Sequence, residues 1–372
     1  MNRRLFLKLS MNGVAAASIL GTSSLIVGCD VLKQARWFAS VVKEIDGSYS
    51  VAAVDVLGNI ISKVALPQRA HDVLEMPHKP GHVLVFARRP DRFAMEIDLA
   101  SGQIVKRFSS QADTHFYGHG VLSKNGDYLF TTENRYDFKQ GLIVVRNTST
   151  FEVEGRFDSH GIGPHELVFM PDNNTLALAN GGIETHPDYP RIKLNLDSMQ
   201  SNLSYINSQT GALEHQVLPK DPQLSLRHLD VNPQGRVVVG AQYQGKRGKI
   251  QALVFSHHMH DKELMPMQAS NTQWQQMQQY TASVVCHQNQ AYVTCPRGNS
   301  LFIFDLVKNK ALAQITQKDV AGLVKTGSGI ASSNGLGQIS LLKGRASAPA
   351  YKELNFPSLK FDNHMTSIIA AT

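Results

Sequence analysis

The stretch SLRHLDVNPQGRVVVGAQ, residues 225–242, shows the unit from which this chain is built. It predicts a short strand at 229–231, a turn at 232–235, where Asn, Pro and Gly cluster, and a second strand at 236–241. Arg227 and His228 stand immediately before the first strand. A charged and a titratable residue at the start of an ordinary hairpin indicate a function only if the chain repeats them.

The unit recurs along the chain, each time with one residue, called here the slot residue, followed by a strand, a turn and a second strand. The slot residues of the six copies are His71, His119, His165, His228, Ser283 and Ser328. A second pattern of apolar strand, Gly/Asn/Asp turn and strand recurs at 51–61, 94–105, 203–213 and 302–312. Four short strands per unit and a period in the forties are typical of a β-propeller.

The two ends of the chain together supply one more blade. The segment DNHMTSIIA, at 362–370, has the pattern of an inner strand with His364 in the slot position. Its outer strands are predicted at 37–42, 49–54 and 60–66. The sequence therefore predicts an all-β, seven-bladed β-propeller whose last blade is closed by the C-terminal strand pairing with N-terminal strands. The short spacing from 328 to 364 keeps six and eight blades as alternatives.

The first 28 residues have the pattern of an export signal. Arg3 and Arg4 open RRLFLK, which has the twin-arginine form, and LIVGC places Cys29 where a lipobox has its lipidated residue. We predict a signal peptide at 1–28, a linker at 29–35 after lipidated Cys29, and one propeller domain at 36–372. Asp30 favours an inner-membrane lipoprotein of the bacterial periplasm. The alternative is a plain cleavable signal with an incidental cysteine.

The composition, 42% hydrophobic and 18% charged over 372 residues, allows a large packed core. The formal net charge is +7, of which Arg3, Arg4 and Lys8 in the export signal contribute three. No Lys/Arg stripe with interleaved aromatic residues is present, so nucleic acid is not an expected partner. We expect a monomer that contacts the membrane through its lipid anchor only.

The two remaining cysteines, Cys286 and Cys295, lie in one predicted hairpin. A tight turn at 289–290 pairs Cys286 with Val293 and Cys295 with Val284. That register leaves the sulfur atoms on a diagonal, and because disulfide geometry is strict, a bridge is disfavoured.

The innermost strands of a propeller line a central channel, and the residues that precede them meet at one mouth of it. The candidate metal ligands there are the slot histidines His71, His119, His165, His228 and His364. Returning strands and approaching loops bring candidate ligand-binding residues to the same mouth. These are Arg69, Arg88, Arg89, His115, Tyr117, Glu133, Asn180, Arg227 and Arg297. The sequence thus predicts a concave, electropositive site.

Two interpretations of the slot histidines remain open. In the structural one, each imidazole hydrogen-bonds to a neighbouring blade and ties the ring together. In the functional one, neutral imidazoles bind a transition metal, iron or copper, or an anionic metal complex whose oxygens are held by arginine. Five histidines in seven slots, from 15 in the chain, favour the functional one. Asp72, Glu166 and Asp230 follow slot residues and are candidates to orient imidazoles, although alternation turns Asp72 and Glu166 away from the channel.

Signatures of catalysis are absent from the sequence. It contains no G-x-S-x-G, H-E-x-x-H or P-loop motif, so no nucleophile or general base is singled out and no catalytic residue is predicted. A binding protein is therefore favoured over an enzyme. The alternatives are a non-catalytic protein-interaction scaffold with structural histidines and a metal-dependent hydrolase or oxidoreductase.

Several motifs carry a family resemblance. RAHDV, FARRPDRFA, YGHGVLS, GIGPHEL, LRHLDVN and DNHM, with the twin-arginine start, resemble a bacterial family of exported periplasmic proteins catalogued as domain of unknown function 1513. The resemblance implies a propeller similar to the YVTN and WD types, and gene neighbours that are imelysin-type iron-regulated lipoproteins and a di-haem oxidoreductase. It thereby implies a role in periplasmic iron acquisition, with iron-uptake lipoproteins as partners, and it implies no catalytic residue.

Overall fold

The computed structural model describes residues 36–189, 192–327, 329–343 and 350–370. The predicted signal peptide, its Arg3 and Arg4, the linker and Cys29 lie outside these residues. Within them, no helix has both the length and the apolar character needed to cross a membrane.

Nearly all the regular secondary structure of the described chain is strand. The first strands are β1 (Arg36–Lys43), β2 (Tyr49–Asp55), β3 (Ile60–Leu66), β4 (Ala70–Glu75), β5 (His82–Ala87), β6 (Phe93–Asp98), β7 (Gln103–Ser109), β8 (His115–Leu122), β9 (Tyr128–Arg135), β10 (Gln140–Asn147), β11 (Val153–Asp158), β12 (Pro164–Phe169), β13 (Thr175–Asn180), β14 (Asn202–Asn207) and β15 (Leu213–Val217). The others are β16 (Leu224–Val231), β17 (Arg236–Tyr243), β18 (Val254–His258), β19 (Met265–Pro266), β20 (Val284–His287), β21 (Gln290–Cys295), β22 (Ser300–Asp305), β23 (Lys310–Thr316), β24 (Val320–Thr326), β25 (Gly329–Asn334), β26 (Gln338–Lys343), β27 (Ala350–Asn355) and β28 (Lys360–Ile369). The helices are α1 (Asn271–Gln276) and three single 3-10 turns at Tyr136–Phe138, Leu196–Ser198 and Pro296–Gly298.

These strands form seven sheets of four antiparallel strands, so the predicted seven-bladed β-propeller is confirmed. Blades 1 to 6 begin at β4, β8, β12, β16, β20 and β24, and each runs outward through the next three strands. Blade 7 has the order β28-β1-β2-β3, which confirms that the C-terminal strand closes the ring against N-terminal strands. Arg36 pairs with Ile369, and the three outer strands of this blade lie where the sequence placed them.

Burial decreases from the second strand of a blade to its edge. All but the first residue of β5 (HVLVFA) are buried, because neighbouring blades cover both of its faces. The outer strand β7 (QIVKRFS) alternates exposed and half-buried residues, as expected of a strand with one face in water. The innermost strands therefore lie deep in the ring, and their side chains meet at its axis.

The predicted start of blade 6 at Ser328 is wrong. Ser328 itself lies outside the described residues, but β25 just after it is the second strand of the blade, and β24 is the innermost. The cause is that both hairpins of a blade share the pattern of apolar strand, Gly turn and apolar strand. The residue at the slot position of this blade is Ala321, where the β24–β25 register shifts.

The cysteine hairpin also has a different register from the predicted one. Cys286 lies opposite Ala291, and Val284 lies opposite Val293, because the two-residue turn is at 288–289. Gln288 adopts a left-handed φ of 52° that makes this turn. Both cysteines are buried and free.

A fully buried ion pair lies inside blade 2. Glu133 contacts the Arg146 guanidinium at 2.7 Å, and neither side chain has any exposed area. Thr114 and Thr131 donate hydrogen bonds to the two carboxylate oxygens of Glu133. The predicted ligand-binding residue Glu133 is thus held by groups of its own blade.

The variant Glu133→Gln is expected to lower the free energy of unfolding by about 3 kcal/mol, because it leaves the Arg146 charge buried and unpaired. Urea denaturation measures the loss. As a control, Glu263→Gln breaks an exposed pair with Lys220 and should cost no more than about 1 kcal/mol. Equal losses in the two variants would contradict the role given to burial.

Candidate metal centre

A β-bulge turns each slot histidine toward the channel. In each of the five blades that carry a slot histidine, the register between the first and second strands shifts at that histidine. The positions are His71, His119, His165, His228 and His364. A bulge leaves its extra residue out of the ladder and re-aims that residue's side chain. The repeated slot is therefore a repeated bulge, and it points five imidazoles at the axis.

These five imidazoles form one cluster, called here the five-histidine centre. One ring nitrogen from each of His71, His119, His165 and His228 lies within 4.8 Å of the others. The closest pair is His165 Nε2 and His228 Nε2, 3.2 Å apart. The His364 ring centroid lies 4.7 Å from those of His71, His119 and His228. All five candidate metal ligands are thus brought together, four of them in the geometry of a metal site.

Five of the ten ring nitrogens of the centre have no protein partner. Both ring nitrogens of His71, Nε2 of His119, Nδ1 of His165 and Nε2 of His364 are buried without a hydrogen bond. The five side chains are buried, with His165, the most exposed, at 9%. A buried polar atom without a partner is costly, and native proteins rarely keep one. Several such atoms around one point could coordinate an electrophile such as a metal ion.

Carboxylates orient two of the imidazoles from outside. His119 Nδ1 donates to Asp72 at 3.1 Å, with Glu166 at 3.7 Å, and His228 Nδ1 donates to Glu166 at 3.1 Å. In both of the 3.1 Å contacts the carboxylate comes from the blade before the imidazole. Strict alternation did not predict these contacts, because the bulge breaks the alternation beside it. Asp230, the third candidate, instead accepts from the Cys286 amide and pairs with Lys325.

Burial keeps most of the centre neutral. It lowers the pKa of His71, His165 and His228 well below the ordinary value near 6.5, helped by the neighbouring imidazoles, and the pKa of His364 to about 3. His119 is the exception, since Glu166 and Asp72 overcome its burial and raise its pKa. Neutral imidazole is the form that coordinates metal.

Gly118 makes room for the centre. Its φ is +110°, and a Cβ built on it would lie 2.6 Å from Cβ and Cδ2 of His71. A side chain here would be strained and would push the His71 ring. Gly118, the first glycine of YGHGVLS, thus leaves room for the imidazole of His71 in the preceding blade.

The variant Gly118→Ala is expected to lower the free energy of unfolding by about 1–3 kcal/mol through backbone strain and the clash with His71. It should also weaken metal binding. Gly58→Ala is the matched control, because Gly58 has a φ of +98° and nothing within 4 Å of its built Cβ. Calorimetric unfolding and metal titration of both variants test this, and unchanged metal affinity in Gly118→Ala would contradict it.

The predicted arginines surround the mouth in two groups. Arg69 makes a bidentate ion pair with Asp362 at 2.5 Å, and the Arg297 guanidinium lies 4.1 Å from the Tyr280 ring centroid. These four residues line a cavity of about 470 Å³ that includes none of the five histidines. Arg88 donates its amide to the Arg69 carbonyl, next to this cavity, whereas the Arg89 Cζ lies 5.9 Å from the Tyr117 ring centroid and Arg227 lies in the same bulge as His228.

The remaining predicted ligand-binding residues have partners within the protein. His115 is bonded to the Phe116 carbonyl and to Asn134, and burial lowers its pKa to about 4. The Tyr117 hydroxyl lies 3.2 Å from the Thr185 hydroxyl. Asn180 donates to the Ser159 carbonyl and to Asn202 within blade 3. None of them contributes a nitrogen or carboxylate to the group that can hold a metal ion.

Two small slot residues complete the ring where histidine is absent. The Ser283 hydroxyl donates to the Asn363 carbonyl and lies 3.4 Å from His364 Nδ1. Ala321 occupies the slot position of blade 6, which lies between the blade of Ser283 and the blade of His364. The small side chain at Ala321 was hidden from sequence reasoning, because the inner strand of blade 6 was misplaced.

The donor set suits a transition metal. Imidazole nitrogen binds zinc, copper, iron and nickel, and carboxylates behind the ligands fix the ring orientation. The centre offers four to five imidazoles and no thiolate or inward carboxylate, so a hard cation such as Mg²⁺ or Ca²⁺ finds no suitable ligands. The residues present fit a borderline divalent metal ion.

Comparison with known proteins gives one family and one fold. A family model described as protein of unknown function (DUF1513) matches residues 64–368. No curated protein matches significantly. Among solved structures, the Kuenenia stuttgartiensis hydrazine synthase has a TM-score of 0.59 with 13% identity, over 91% of this chain and 99% of that one. At that identity the likeness concerns the propeller fold alone.

Proposed function

The chain belongs to the DUF1513 family, and we propose that it is a binding protein that holds one divalent transition-metal ion at the five-histidine centre. The observation that supports this most strongly is the set of buried imidazole nitrogens without partners around one point. Each neutral imidazole has one nitrogen with a free lone pair. An ion supplies the electron acceptor for that lone pair and offsets the cost of burying it.

The purely structural role of the histidines is less well supported. An imidazole that ties two blades together has to donate or accept a hydrogen bond across the interface. His71 makes no hydrogen bond at all, and His165 bonds only to another member of the centre. His119 and His228 do bond to other blades, but their partners are carboxylates of the kind found behind metal ligands. His364 Nδ1 lies 3.4 Å from the Ser283 hydroxyl of blade 5.

Iron and copper are the proposed ions, with zinc as the competitor in the test. An all-imidazole set binds copper(II) more tightly than the other divalent ions of the series, so iron loading depends on supply. We further propose that the protein is a periplasmic, lipid-anchored member of an iron-uptake system with lipoprotein partners. The support for that location and those partners is RRLFLK, Cys29 and the family resemblance in the sequence.

Titration of the chelator-treated protein with Cu²⁺, Zn²⁺ and Fe²⁺ tests the proposal. We expect one ion per chain, and a rise in melting temperature as ion is added, because a ligand that binds only the folded state stabilises it. Mg²⁺ is the control and should give neither effect. Absence of binding and of a thermal shift with all three transition metals would overturn the proposal.

A further inference from the structure

Arg227 is a buried cation without a partner. It occupies the same bulge as His228 and is 8% exposed. Among the described residues, no carboxylate lies within ion-pair distance of it, and its Nε is buried without a hydrogen bond. A buried guanidinium is costly unless it is paired.

Other buried or half-buried arginines of this fold do have partners. Arg146 pairs with Glu133, and Arg69 pairs with Asp362. Arg236, at the far end of β17 from the mouth, donates to the Leu306 carbonyl. The missing partner of Arg227 is therefore a property of its position and not of arginines in this protein generally.

Further positive charge collects beside Arg227. Burial lowers the pKa of Arg227 to about 10, and the charge of Arg89 acts in the same direction. Arg89 lies with its Cζ 5.9 Å from the Tyr117 ring centroid. The pKa of Arg88 is lowered by burial, by Arg69 and by Arg89, whereas the Asp362 charge acts in the opposite direction. Neither Arg88 nor Arg89 has a carboxylate within ion-pair distance among the described residues. Arginines without ion-pair partners around one mouth are typical of an oxyanion site.

We propose that Arg227, with Arg88 and Arg89, binds a small oxyanion, a carboxylate or a phosphate, beside the five-histidine centre. The oxyanion supplies the missing partner of Arg227 through the planar guanidinium fork. The anion site stands on the arginines alone, and its second role, as an oxygen ligand to the bound ion, rests on the proposed metal function.

The position of the arginines places this site next to the metal ligands. Arg227 directly precedes His228 in the same bulge. An anion at this place offsets the repulsion between the guanidinium charge and a bound cation, so anion and metal ion should each strengthen the binding of the other.

Isothermal titration of the full chain tests the proposal, with citrate and inorganic phosphate as separate probes and sodium chloride as the ionic-strength control. In chelator-treated protein, at least one probe should bind wild type and bind Arg227→Met at least tenfold more weakly. Arg236→Met is the matched control and should keep wild-type affinity. The preferred probe decides between carboxylate and phosphate. Arg227→Met should also melt at a higher temperature than wild type in anion-free buffer, because it removes an unpaired buried charge.

Two results would overturn the anion site: no binding of either probe by wild type, or equal binding by wild type and Arg227→Met. If Arg227→Met fails to fold, Arg88→Met with Arg89→Met should still weaken binding at least tenfold, and unchanged affinity there would contradict the site. Repeating the titration with Zn²⁺-loaded protein tests the coupling, which predicts tighter anion binding. Metal binding without anion binding would reject this site and leave the proposed function intact.

Discussion

Replacing His119 and His165 together by alanine is expected to abolish transition-metal binding, a loss of at least about a thousandfold in affinity. The double change removes two of the four imidazoles whose nitrogens lie within 4.8 Å of one another. Structural metal sites in proteins contribute of the order of 10 kcal/mol, and loss of half the ligands removes most of it. Titration with Cu²⁺ and Zn²⁺ measures the loss, and the exposed His260→Ala is the control.

A single change separates binding from structure more sharply. His71→Leu replaces an imidazole with two unpartnered buried nitrogens by an apolar side chain of similar volume. In chelator-treated protein it should raise the free energy of unfolding by about 1–3 kcal/mol, because a buried unsatisfied group costs that much. It should weaken metal binding at the same time. A fall in stability together with unchanged metal affinity would support structural histidines.

The metal-free protein is expected to lose stability steeply below pH 6.5. An unfolded histidine takes up a proton near that pH, whereas folded His115 does so at about 4 and folded His364 at about 3. Between these values the unfolded chain binds more protons, so the free energy of unfolding falls as the pH falls. Each such imidazole contributes about 1.4 kcal/mol per pH unit. The contribution is fully present above pH 6.5.

Other members of the centre add to this slope. The pKa values of His71, His165 and His228 are lowered in the same direction, whereas the raised pKa of His119 gives a stabilisation that is lost as the pH rises through it. Urea denaturation from pH 7.5 to 4.5 measures the slope, and His115→Gln should reduce it by about 1.4 kcal/mol per unit. Saturating Zn²⁺ should delay the loss. A flat profile in chelator-treated protein would contradict the neutral centre.

The histidines of the centre could be predicted from sequence because the blade repeat places each of them just before a strand. Alignment on the slot found all five, and the repeat also gave the fold. The same method misplaced blade 6, since either hairpin of a blade fits the pattern of strand, turn and strand. The predicted register of the hairpin with Cys286 and Cys295 was wrong for a related reason. The left-handed φ of Gln288, and not the composition of the segment, fixes the turn.

The sequence did not predict which side chains pair with one another. Glu133 was a candidate at the mouth, yet its partner Arg146 lies on the next strand of the same blade. Asp72 and Glu166 were discounted by alternation and turned out to contact the imidazoles. In both cases the decisive factor is the geometry around a bulge or between strands, which a one-dimensional pattern does not contain.

The closure of blade 7 has a consequence for when the binding site can exist. Arg36 and Ser367, which bond across β1 and β28, are 331 positions apart, and β28 also carries His364. During synthesis this strand emerges after all the other described strands, so the imidazole cluster is incomplete until β28 has left the ribosome. A metal ion bound at the centre would then slow the unfolding of a propeller that is already closed.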